Sequence, residues 1–137
     1  MNLDTGWFGE AGDPDELREL LVAFLLDQKL LAQNDRLLSD LREVSPDLRA
    51  ALERAERNGQ AWSAWKHRGE VHAVSAELDE PRCRTLGRSV LLVFVHNAAG
   101  RVVASGSWVE TLQGQWLPAH PHIQHQQPVH LARLMRS

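Results

Sequence analysis

Tyrosine is absent from this chain, cysteine occurs once, and no apolar run approaches the length of a bilayer-crossing helix. Each shortage removes a class of protein. A single Cys83 excludes an internal disulfide and fits a reducing compartment. Without a long apolar run no transmembrane helix is expected, and no membrane partner. The first sixteen residues, MNLDTGWFGEAGDPDE, carry acids and no base, the opposite of a targeting peptide, so the expected location is the cytoplasm. Glycine triplets of the GxG kind are missing, which leaves no dinucleotide or phosphate loop. No Lys/Arg run or basic stripe is present and the net charge is −3, so nucleic acid is not an expected partner.

What remains is an ordinary globular composition: 137 residues, 43% apolar and 24% charged, enough for one domain with a core of its own. Charge is divided unevenly. Residues 1–59 hold 13 acids and 7 bases, and residues 60–137 hold 5 acids and 8 bases. The two halves should attract each other, or opposite halves of a second subunit.

The chain divides into a leader (1–12), a helical half (13–59), a sheet (60–117) and a Pro/His-rich tail (118–137). Trp7 and Phe8 are the leader's only large apolar rings. Asp13-Pro14-Asp15-Glu16 reads as a helix start, followed by Leu17, Leu20, Leu21, Phe24, Leu25 and Leu31 at helical spacing. Leu37, Leu38, Leu41 and Val44 resume the pattern, either as a continuation or as a second helix from about Asn34. Ser45-Pro46-Asp47 starts another helix, and Gly59 ends it. The leucines do not persist through enough heptads for a coiled coil.

After Gly59 the pattern changes to short strands. Ala61–Trp65 and Glu70–Leu78 flank His67-Arg68-Gly69 as one hairpin; Ser89–Glu110, turning at Asn97-Ala98-Ala99-Gly100, forms the second. Asp79–Gly87 reads as a polar connection, and Trp116 lies in a short last strand. Val129–Met135 adds a turn of helix. Helices first and strands afterwards mark an α+β domain: a two- or three-helix layer on one face of a curved, roughly five-stranded antiparallel sheet. Val90–Val95 is apolar at every position. A sheet with one wet face should alternate, so a second object must cover this strand: the curl of the sheet, the tail or another subunit.

Chemistry-bearing residues are few. His120, His122 and His125, with His130, form a histidine-rich stretch, but it offers no Cys, Asp or Glu beside them and reads first as a solvated tail, not a metal site. Cys83 lies between Arg82 and Arg84, which favours a thiolate if all three are close, yet no nucleophile signature surrounds it. His72, Glu77 and His96 lie on strands, where an acid–base pair needs a shared pocket. Five tryptophans suit a core, a ligand pocket or an interface anchor. Trp62 and Trp65 must point to opposite faces, whereas Trp108 shares one with Ala104 and Gly106, leaving room beside a large ring.

In its order of elements the chain resembles the cone-shaped NTF2-like domains at the level of fold alone, with no residue motif behind the likeness; the resemblance implies a dimer or an enclosed small ligand. The reading adopted is a small non-enzymatic binding or regulatory protein acting as a homodimer, without a cofactor. The alternative is an NTF2-like small-molecule-binding protein or small enzyme with an apolar pocket in the curled sheet. Candidate ligand or interface residues are Trp62, Trp65, Phe94, His96, Ala104, Gly106 and Trp108. A third reading is an adaptor whose acidic half engages a basic protein partner.

Overall fold

A computed structural model describes residues 14–119. The first helix, α1 (Pro14–Asp27), has Asp15 and Glu16 against the positive end of its dipole and buries Leu17, Leu21, Phe24 and Leu25 on one side. It ends where Lys29 takes a left-handed conformation (φ 61°) and the N–H groups of Leu30 and Leu31 return to the Leu25 carbonyl. The leader, with Trp7 and Phe8, and the tail histidines His120, His122 and His125 lie outside the described residues.

The leucines after α1 do not resume a helix. Arg36–Leu37 forms a two-residue strand, β1, paired with Trp65 and Lys66, and Leu38 donates its N–H to the Ala64 carbonyl. A 3-10 turn, Leu41–Glu43, follows, capped by the Asp40 carboxylate. Next comes α2 (Pro46–Arg57), with Ser45 Oγ accepting from the Leu48 N–H, Pro46 in the first turn, and Leu48, Ala51, Leu52 and Ala55 buried.

Strands β2 (Ala61–His67) and β3 (Glu70–Leu78) form a hairpin whose two turn residues, Arg68 and Gly69, both have positive φ. The connection from Asp79 to Gly87 is a helix, α3 (Glu80–Leu86), capped by Asp79 and ended by a left-handed Gly87. Then β4 (Val90–His96) and β5 (Val102–Glu110) make the second hairpin, and β6 (Trp116–Pro118) closes the sheet. The result is an α+β fold with one curled, six-stranded antiparallel sheet in which every strand neighbours the next in sequence.

The helices do not form a single layer. α1 packs on the first face, where Ala61, Trp65, Val74, Leu91, Val93, Val95, Trp108 and Trp116 complete the larger core. α2 packs on the second face, over Trp62, Ala64 and Ala73, joined by Leu38, Val44, Leu48 and Leu52. Small residues make this possible: Ala64 opposes Ala73 in the ladder, so the helix meets a low part of the sheet.

Candidate functional site

The register assigns every strand residue to a face. On the first face, Phe24 of α1 meets Trp108 at 5.0 Å and Trp116 at 5.7 Å between ring centroids. The C-terminal end of α1 also holds β6 by its backbone: the Asp27 carboxylate accepts the Trp116 N–H at 2.9 Å, and the Gln28 side chain donates to the Trp116 carbonyl at 3.0 Å. Gly106 has a specific task here. A Cβ at this position would lie 2.6 Å from the Trp108 ring, so the ring itself fills the space beside Ala104 and Gly106. Trp65, Trp108 and Trp116 are buried in this core, and their indole N–H groups have no acceptor among the described residues.

The second face falls into two parts. Its β2–β3 side lies under α2. Trp62 is held there from both directions: its indole N–H donates to Glu56 at 2.8 Å, and the Arg18 guanidinium lies 5.0 Å from its ring centroid. The N-terminal end of α2 reaches on to the β4–β5 turn, where Ser45 Oγ donates to the Ala98 carbonyl at 2.6 Å. A Cβ on Gly100 would collide with the Asp47 carbonyl at 2.6 Å.

The β4–β6 side of that face is different. Cross-strand rows run Val90–Val109–Leu117, Leu92–Ser107 and Phe94–Ser105. Cys83 of α3 packs against Val90, accepting its N–H at 3.2 Å, and Val90 is fully buried. Leu92, Phe94 and Val109 remain half-buried and Leu117 is 52% exposed. At the start of β5, where the register shifts by a bulge, Val102 and Val103 are exposed as well. Ser107 lies low between these larger side chains, buried, and its hydroxyl has no partner among the described residues. Half-buried apolar side chains and serines thus share this part of the face.

His96 stands at the border between the two parts. Its Nε2 is 2.8 Å from Ser75 Oγ. Burial pushes its pKa below the ordinary histidine value; the Gly100 backbone partly offsets this, and Arg54 of α2 adds to it. Ser75 is 1% exposed, which removes it as a nucleophile reaching a substrate.

The structure thus divides the residues singled out from sequence. Trp62, Phe94 and His96 share the second face, whereas Trp65, Ala104, Gly106 and Trp108 share the first. His72 points to the first face while Glu77 and His96 point to the second, so the three do not form one acid–base group. Glu77 is instead bonded to Gln60 at 2.7 Å. Cys83 is buried in α3, and burial raises its thiol pKa, leaving it in the protonated, unreactive form. Among the described residues no three His, Cys, Asp or Glu side chains are placed to hold a metal, and no helix is long and apolar enough to cross a membrane. Leu92, Val109 and Leu117 were not singled out from sequence. Leu92 was within reach, since it has the parity of Phe94; Val109 and Leu117 require the register of β5 and β6.

Family models, curated proteins and solved structures were all compared with this chain, and none matches.

Proposed function

We propose that the protein is a non-enzymatic binding or regulatory protein that acts as a homodimer, with the β4–β6 part of the second face as its working surface. One observation carries this: Leu92, Phe94 and Val109 are only half-buried and Leu117 is 52% exposed, beside exposed Val102 and Val103, while α1 packs on the first face and α2 over β2 and β3. Burial of such a surface against a second copy is favoured by the apolar area removed from water. Two edge features support the same reading. Among the described residues the N-terminal half of β5 has no neighbour on its outer side, and it carries neither Lys nor Pro to discourage pairing. Sedimentation over a concentration series tests the proposal. The mass should rise to that of two chains, and Phe94→Asp should hold it at one; a wild-type mass of one chain at every concentration overturns the dimer.

A second reading, a small ligand enclosed on the first face, is favoured by the three buried indole N–H groups. An acceptor-bearing molecule would satisfy donors that burial otherwise leaves costly. Tryptophan fluorescence against a panel of small carboxylates and amides tests it, and a flat response removes it.

A further inference from the structure

We propose that the corner where the end of α1 meets β5 and β6 binds a small primary carboxamide. Its carbonyl accepts from the indole N–H groups of Trp108 and Trp116, and its amide N–H groups donate to Gln28 Oε1 and the Glu110 carboxyl. The inference rests on the second reading above, a ligand enclosed on the first face, and names the chemical class of that ligand.

Three elements bring these groups to one place. The Phe24 ring of α1 meets both indoles, Trp108 on β5 and Trp116 on β6. Gln28 follows Phe24 by four residues, and its N–H still bonds the Phe24 carbonyl at 2.9 Å, so both side chains leave the same side of the last turn. The Gln28 Nε2 donates to the Trp116 carbonyl at 3.0 Å and to the Asp27 carboxylate at 2.9 Å. Both of its N–H groups are thus used, which fixes the orientation of the amide and leaves Oε1 as its unengaged end. Glu110 stands directly opposite Trp116 in the ladder and on the same face. Side chains so opposed start about 5 Å apart.

The polar atoms here lack their complements. Trp108 is 1% exposed and Trp116 2%, and neither indole N–H has an acceptor among the described residues. Gln28 Oε1 is buried and has no donor. Burial pushes the pKa of the Glu110 carboxyl up. Polar groups left unmade at such burial cost a large part of a small domain's stability margin. Charge then decides between the small groups that could complete the set. A carboxylate would satisfy the indoles but lie beside Glu110 and beside Asp27, which accepts the Trp116 backbone N–H. An ammonium would satisfy the two acceptors and leave both indoles unmade. A primary carboxamide carries an acceptor and two donors with no charge, and it serves all of them. Trp65, the third unpartnered indole, is on β2 with its ring 5.7 Å from that of His72, and is outside this site.

The test follows ¹H–¹⁵N spectra of the full chain during titration with propionamide, propionate and propylammonium. Propionamide should shift the Trp108 and Trp116 indole resonances to saturation and leave that of Trp62, whose N–H is already held by Glu56, in place. Gln28→Met and, separately, Glu110→Met should each weaken this binding about threefold to tenfold, the same spectra showing that each variant is folded. Saturating shifts with propionate or propylammonium and none with propionamide uphold an enclosed ligand and overturn the carboxamide. Propionamide shifts confined to other resonances, or unchanged by both variants, overturn the site. No shift of either indole with any probe overturns the inference, and water cross-peaks at both indoles would then assign the corner to an ordered water. The enclosed-ligand reading itself falls only with a flat fluorescence response to the wider panel.

Discussion

β2 and β4 are both seven-residue inner strands, and their burial is the reverse of what their compositions suggest. β4 is apolar at every position from Val90 to Val95, yet Leu92 and Phe94 are only half-buried. β2 reads Ala-Trp-Ser-Ala-Trp, and all five of these residues are buried. The difference comes from what lies above each strand. α1 covers one face of β2 and α2 the other, and alanines allow α2 a close approach. On β4 the second face carries Leu and Phe opposite two serines of β5, and α3 packs at its start, against Val90. An apolar run therefore reports what a strand tolerates, while the neighbouring elements decide whether both of its faces are dry.

The largest expected effect separates these strands directly. Trp65 is fully buried, so Trp65→Ala should destabilise the fold by about 3–5 kcal/mol. Phe94→Ala should cost about 1–2 kcal/mol in the monomer, in proportion to its partial burial. Urea unfolding of both variants checks the contrast. Equal losses would mean that the face over Phe94 is as thoroughly covered as that over β2.

Next in size is Gly106→Val. The added side chain meets the Trp108 ring at under 3 Å, measured at its first carbon, and the ring is 1% exposed with Phe24 behind it. Overpacking of this kind costs about 1–3 kcal/mol. A changed near-ultraviolet spectrum should accompany the loss. An unchanged spectrum and stability would show that the first face has spare volume beside Trp108, which would favour an enclosed ligand.

Much of the scaffold was legible because its signals are local. Leu17, Leu21, Phe24 and Leu25 at helical spacing, Ser45-Pro46 at the start of α2 and Gly59 at its end all appear where the residues imply. Two segments were not. Leu37 and Leu38 continue an apparent helical stripe but belong to an edge strand and its extension, because the Leu38 N–H finds the Ala64 carbonyl. A two-residue strand has no period to detect. In α3 the Asp79 cap, Pro81 and Gly87 are proper boundary residues, but only Cys83 is buried, so the stripe that marks a helix is missing. The candidate surface was half legible for a related reason. Parity places Leu92 with Phe94, but the decision that α2 packs over β2 and β3 rests on contacts far apart in sequence.

A smaller effect concerns the device that holds α2 across the border of the two parts. Ser45 caps the helix through the Leu48 N–H and also bonds the β4–β5 turn at Ala98. Ser45→Ala should cost about 1 kcal/mol, at the middle of the range for lost caps. Asp79→Ala, in a cap whose bond is longer at 3.3 Å and whose helix lies outside the larger core, should cost less. Thermal melts of the pair measure this; a larger loss from Asp79→Ala would assign α3, not α2, the greater part in holding the second face.

The smallest expected change is a pH dependence at His96. Its folded pKa is depressed, chiefly by burial, below the ordinary value of 6.5. The unfolded chain therefore takes up a proton first as pH falls. The stabilisation from keeping this imidazole neutral is fully present above about 6.5 and is lost as pH drops through the lower folded value. Protonation would place a positive charge beside Arg54 of α2, while Ser75 Oγ, 2.8 Å from Nε2, can still accept. The resulting repulsion acts on the helix that covers one part of the second face and not the other. Stability measured between pH 8 and 5 should thus fall more steeply in the wild type than in His96→Gln. Hydrogen exchange in α2 should rise before exchange in β4 and β5. If the amides of β4 and β5 lose protection first, His96 is coupled to the open part of the face instead, and the border between covered and uncovered surface lies one strand nearer to α2.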